Sequence, residues 1–176
     1  MSNYKEIVTK AVVGKAKKTS SGDYQIKTEE VPNTVLGCWV INHTFTGTNN
    51  NGSVLINGAF DVNVWYSYDN DSKTAVSTER FNYTDTMNIR LKDNKTITNA
   101  SEIIVRSLKQ PTVSEVKIDE GVVKLNIEKE LGVEIVGDTK IKVSVEEDED
   151  DYEIISDEPE EINDDVISEI DEDYLN

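Results

Sequence analysis

Between Phe60 and Tyr83 the chain reads FDVNVWYSYDNDSKTAVSTERFNY, and the regular alternation of this stretch, which begins at Val54, limits the fold more than any other feature. Phe60, Val62, Val64, Tyr66 and Tyr68 fall on one side. Asp61, Asn63 and Ser67 fall on the other, where Trp65 is the one apolar interruption. A period of two belongs to a half-buried strand, because successive side chains of an extended chain point to opposite faces. DNDSK supplies turn chemistry, and Thr74–Tyr83 returns with the same alternation, which predicts a β-hairpin.

The rest of the first 145 residues repeats this pattern in shorter pieces. Ser2 is a helix-capping residue, but IVTKAVVGKAK alternates as a strand does, and a strand is expected. A turn at Ser21-Gly22-Asp23 and a short strand ending at Pro32 follow. VLGCWVINHTF puts Val35, Gly37, Trp39, Ile41 and His43 on one face and Leu36, Cys38, Val40 and Asn42 on the other. Both faces are largely apolar, as in a strand covered on both sides. TGTNNNGS then turns the chain into the Val54 strand. Further strands are expected at TMNIRLK, EIIVRSL and TVSEVKI, then at VVKLNIEKE after the turn Asp119-Glu120-Gly121, and at GVEIV and TKIKVSV around a turn at Gly137-Asp138. Short strands at roughly ten-residue spacing, with almost no helical period, predict an all-β domain, an antiparallel β-sandwich or open barrel.

Charge divides the chain at one point. The whole carries a formal net charge of -17, with 35 acids and 18 bases. Seventeen of the acids and none of the bases lie in residues 146–176, so residues 1–145 hold 18 of each sign and balance. Two parts are expected: a β-sandwich assembly domain over 1–145 and a disordered acidic tail over 146–176, where like charges repel and few apolar groups are present to offset the ordering entropy. The end of the tail differs. Ile162, Val166, Ile170 and Tyr174 recur every fourth residue, with Ile167 and Leu175 beside them, which predicts a short helix over 163–175 behind an Asn163 cap. Asp171, Glu172 and Asp173 oppose the dipole at its C-terminal end, so the helix is expected only against a partner protein.

Catalytic and cofactor chemistry finds little support. A nucleophile-base system would have to use the single histidine, His43, which sits in an apolar stretch and reads as structural. No CxxC, HExxH or glycine-rich phosphate loop occurs, so no metal, nucleotide or other cofactor is expected. Asp61 and Glu79 face each other across the expected hairpin as glycosidase acids do, but exposed acids are common and no enzyme is expected. The acidic run lacks the glycine and terminal glutamate of an EF-hand loop, leaving only weak cation binding. A polyanionic tail on a neutral body repels nucleic acid. Cys38 cannot form an internal disulfide, and no apolar run reaches the ~18 residues of a membrane span. The start resembles no secretory leader, so the six Asn-x-Ser/Thr triplets reflect composition rather than glycosylation. A second functional class stays open: Trp39, Trp65, Tyr66 and Tyr68 could make a sugar-stacking platform, giving a carbohydrate-binding β-sandwich module with Trp65 and Tyr66 as the stacking residues.

YKEIVTKAVVGKAKK, VLGCWVINH, DVNVWYSYDNDSKTAVSTERFNY, LKQPTVSEVKI and GVEIVGDTKIKVSV, followed by an acidic tail, resemble in that order the outer spore coat morphogenetic protein E (CotE) family over residues 4–145. Cys38, the Asn49-Asn50-Asn51 loop and the residue-by-residue sequence of the tail depart from its pattern. The resemblance implies a non-enzymatic spore coat morphogenetic scaffold, made in the mother cell cytoplasm and then placed in the outer layer of the spore coat. It implies self-assembly around the forespore as a homo-oligomer and recruitment of other spore coat proteins through the C-terminal region.

Overall fold

The computed structural model describes residues 3–145. The acidic tail, including Ile162, Val166, Ile167, Ile170, Tyr174 and Leu175, lies outside the described residues. Six strands occur in order: β1 (Asn3–Ile26), β2 (Thr34–Asn50), β3 (Ser53–Tyr68), β4 (Lys73–Met87), β5 (Glu102–Asp119) and β6 (Val122–Val145), with one short 3-10 turn at Lys92–Asn94. They form two three-stranded antiparallel sheets, β1-β6-β5 and β2-β3-β4. The all-β sandwich expected from the alternation is present.

The strands are fewer and longer than their turn residues suggested. Ser21-Gly22-Asp23 lies inside β1 and Gly137-Asp138 inside β6, and neither reverses the chain. EIIVRSL and TVSEVKI are one strand, β5, whose ladder slips on either side of Lys109 and again between Val113 and Glu115, so Pro111 sits where the pairing is interrupted. TMNIRLK is a strand only to Met87; Ile89 and Leu91 leave the ladder and pack against the core. The true reversals are tight. Asn51-Gly52 and Glu120-Gly121 take positive φ at both residues (50° and 91°, 50° and 74°), as a two-residue primed hairpin turn requires.

β3 supplies one wall of the core through Val54, Ile56, Phe60, Val62, Val64 and Tyr66, all essentially buried. β6, central in its sheet, supplies the facing wall through Val123, Leu125, Ile127, Leu131, Val133 and Ile135. Both rows follow strict period two, and burying side chains of this size contributes roughly 1.5–3 kcal/mol each. The core is nonetheless two clusters. One gathers Val13, Val54, Ile56, Met87, Ile97, Leu131, Val133 and Ile135. The other gathers Ile26, Phe60, Val62, Val64, Tyr66, Val123, Leu125 and Ile127. The residue of β6 between the two clusters is Lys129.

β2 corrects the predicted face assignment. Its ladder slips between Val35 and Gly37 and again between Ile41 and Thr44, where Asn42 adopts φ 54°. Each slip flips the alternation. Val35, then Cys38 and Val40, then His43 and Phe45 are drawn toward the interior, while Leu36, Trp39 and Ile41 stand in solvent. Trp39 and Ile41 therefore do not share a face with His43.

Candidate functional site

Two constellations stand out. The first is interior. Lys129 is 6% exposed in a row of β6 that is otherwise apolar. Its ammonium donates to Ser20 Oγ at 2.9 Å, pairs with Asp85 Oδ2 at 3.2 Å and lies 4.0 Å from the centre of the Tyr83 ring. Asp85 also meets Lys18 at 3.7 Å. Tyr83 Oη and His43 Nε2 share a hydrogen bond of 2.7 Å, and His43 Nδ1 is buried without a hydrogen-bond partner among the described residues. Alternation explains the convergence: β6 puts Lys129 inward, β4 puts Tyr83 and Asp85 inward, and the β2 slip at Asn42 turns His43 inward to meet them.

Electrostatics follows from this packing. Burial pushes the Tyr83 phenol up to about 12, helped by the negative charge of Asp85 and by Tyr24. Burial lowers His43 below its ordinary range; the Gln110 side chain opposes that and the Lys129 charge adds to it. Within the cluster Asp85 is matched by two lysines, so it joins the sheets rather than offering an acid or base to a substrate. Sequence reading missed it. The available signal was a single lysine in phase with Leu125, Ile127, Leu131 and Val133.

The second constellation lies on the outer face of β2-β3-β4. Trp65 pairs with Gly37 on one side and Val76 on the other, and Trp39 pairs with Asn63 in the next row. A Cβ at Gly37 would come 3.2 Å from the Trp39 ring and 3.7 Å from the Trp65 ring, so both indoles lean over the backbone there. Trp39 and Trp65 are 42% and 43% exposed, and Leu36, Ile41 and Val76 are exposed beside them. Below the aromatic rows the polar side chains bond to one another. Thr78 Oγ1 donates to Asn63 Oδ1 at 2.6 Å, Arg80 pairs with Asp61 Oδ1 at 2.9 Å, and Asn42 donates to Asp61 Oδ2 at 2.9 Å. Hydrogen bonds from Asn42 and Arg80 hold the Asp61 carboxyl below its usual range.

This geometry overturns two readings of the sequence. Asp61 stands opposite Arg80, and Glu79 stands opposite Val62, so the two acids do not form a facing pair. Trp65 and Tyr66 point to opposite sides of the sheet. Tyr66 is 1% exposed, its hydroxyl is bonded to Glu30, and its ring centre lies 6.1 Å from that of Tyr68; it cannot stack on an external sugar. Cys38 is half-buried on the inner side of β2, and burial raises its thiol pKa. Among the described residues no three His, Cys, Asp or Glu side chains gather as metal ligands do. No helix among them is long and apolar enough to cross a membrane.

A family model described as outer spore coat protein E (CotE) matches residues 3–176. No curated protein and no solved structure matches the chain significantly.

Proposed function

The chain belongs to the outer spore coat protein E (CotE) family, a family of spore coat proteins, and from that premise we propose that it is a self-assembling morphogenetic scaffold. It is made in the mother cell cytoplasm, associates with copies of itself around the forespore through residues 1–145, and recruits outer coat proteins through residues 146–176. The observation that carries this reading is a body with balanced charge that still exposes large apolar side chains, Trp39, Trp65, Val76 and Leu108 among them. Close packing of such bodies meets little electrostatic resistance and removes apolar surface from water. β1 and β4, each with a sheet neighbour on one side, add edges on which a second copy can extend the ladder.

The tail has the opposite character. Seventeen acids without a base resist burial in an array, so tails project from it, and thirty-one residues extended to ~3.3 Å each reach about 100 Å. Ile162, Val166, Ile167, Ile170, Tyr174 and Leu175 form the docking stripe for coat partners, folding when the partner covers them. Size-exclusion chromatography with light scattering tests the division. Removing residues 146–176 should leave the oligomers and abolish capture of coat proteins, and a monomeric truncation would refute it. Val166→Asp with Ile170→Asp in the full chain should also abolish capture; unchanged capture removes the stripe from the proposal.

A further inference from the structure

We propose that the outer face of β2-β3-β4 is a contact between two copies of this chain, laid face to face with Trp39 and Trp65 of one against the same residues of the other. The proposal rests on the self-assembly reading and names its surface. Leu36, Trp39, Ile41, Trp65 and Val76, each 40–58% exposed, lie together on one end of the sheet, a contiguous apolar patch of the kind that is often functional on a monomer. The contact region of a standard interface is about half non-polar, an apolar centre inside a polar rim, and an aromatic and aliphatic patch bordered by Asp61, Asn63, Thr78 and Arg80 has that composition.

The surround selects the occupant. Asp61 is neutralised by Arg80 and further bonded by Asn42, and Asn63 is bonded to Thr78. A second copy covering the patch therefore leaves no charge unmatched and sets apolar surface on apolar surface in an isologous contact. A glycan is less suited, because the amide and hydroxyl groups that would grip its hydroxyls are already engaged with one another. The acidic tail is less suited too, because Arg80, beside the indoles, is already held by Asp61. Gly37 lets both indoles rest against the backbone, a contact that reduces the side-chain freedom they lose on association.

The two tryptophans of the chain are Trp39 and Trp65, so its indole fluorescence reports this face alone. The full chain is followed through a concentration series by light scattering, emission maximum and acrylamide quenching. As the mass rises, emission should move to shorter wavelength and quenching should fall about twofold or more, since burial in the contact excludes the quencher. Val76→Asp, on a side chain 58% exposed in the free protein, places an unpaired carboxylate in the contact and should raise the concentration needed for association about 100-fold. Unchanged far-ultraviolet circular dichroism confirms that the variant folds. Oligomers whose emission and quenching match the monomer's, or a Val76→Asp protein that associates like the parent, would overturn the proposal and leave self-assembly standing. A blue shift on adding insoluble chitin without a change in mass would overturn it in favour of a glycan. A parent chain that stays monomeric across the series would overturn both this contact and the self-assembly reading.

Discussion

Removing the charge of Asp85 is expected to destabilise the body far more than removing its partner Lys129, although the two form one ion pair. The 3.2 Å pair is almost dry, with side chains 8% and 14% exposed. Breaking a buried pair costs about 3–5 kcal/mol when the remaining charge has no other partner. Asp85→Asn leaves Lys129 without a counter-charge, its ammonium facing the neutral Ser20 Oγ, the Tyr83 ring and the new amide oxygen, and should cost about 3–4 kcal/mol. Lys129→Met keeps the length and apolar stem, and Asp85 retains Lys18 at 3.7 Å. The loss is then a hydrogen bond and a cation-π contact, about 1–2 kcal/mol together. Equilibrium urea unfolding at low protein concentration, followed by circular dichroism, measures both variants and the double variant. The double variant should cost less than the sum of the singles by about 2 kcal/mol, because Asp85→Asn is harmful chiefly through the lysine it strands. In melting temperature the Asp85→Asn effect corresponds to roughly 6–15 °C. A cost below about 1 kcal/mol for Asp85→Asn, or a larger cost for Lys129→Met, would refute the claim that the seam is a desolvated charge pair held from one side by Lys18.

Neighbours of the seam give three more tests. His43 titrates below its ordinary range, so its neutral form contributes stability that is complete above about pH 6.5 and is lost as the pH falls through the folded value; proton NMR of the single histidine should show the low value, and Lys129→Met should raise it. Tyr83 is displaced the other way, to about 12, so its contribution is present below pH 10 and is lost as the pH climbs toward 12, which near-ultraviolet absorbance of the folded protein should record as a late-ionising phenol. Gly58 faces inward on β3 beneath Tyr83, and a Cβ there would overlap the ring; Gly58→Ala should cost about 1–3 kcal/mol in urea unfolding, whereas an unaffected protein would mean that Tyr83 moves aside freely.

How far the fold was legible depended on whether the alternation ran unbroken. From Val54 to Tyr68 no residue is inserted, and Phe60, Val62, Val64, Tyr66 and Tyr68 take the inner side that their spacing predicted. In β2 two slips reset the phase, and a two-residue period cannot announce where an extra residue enters the ladder. The false turns have a different origin. A Cβ at Gly22 would come 3.0 Å from the Tyr24 ring, so close packing rather than a reversal accounts for that glycine, whereas at Gly137 the nearest atom, a Val13 methyl at 3.4 Å, is an ordinary contact that does not require glycine. Trp65 was correctly placed on the outer side, but its company was not. Tyr66, assigned to stack with it, is its neighbour in sequence and so on the opposite face, while Trp39, placed with His43, reaches the same patch because the slip at Asn42 separates the two. The Lys129 seam requires four strands from two sheets, and no local pattern relates residues 18, 20, 43, 83, 85 and 129.

That seam also bears on why the two sheets meet in one register. A sandwich wall of Val123, Leu125, Ile127, Leu131, Val133 and Ile135 would keep an aliphatic side chain at four of its six positions if β6 slid by two residues, with a glycine entering at one end and Lys129 at one further position. Lys129 removes that freedom, because the slide would carry its ammonium away from Asp85 and Ser20 into one of the apolar clusters. Exchanging two residues isolates this effect with composition held constant. Ile127→Lys combined with Lys129→Ile places the charge where the 2% exposed Ile127 packs with Val62, Val64 and Tyr66, and withdraws it from Asp85. The exchange should cost at least about 3 kcal/mol more than Lys129→Met alone, measured by the same urea titration, because a buried ammonium without a counter-charge is added to the loss of the pair. If the exchanged protein unfolds at the same urea concentration as Lys129→Met, β6 holds its place through aliphatic packing and the charge has no part in setting the register.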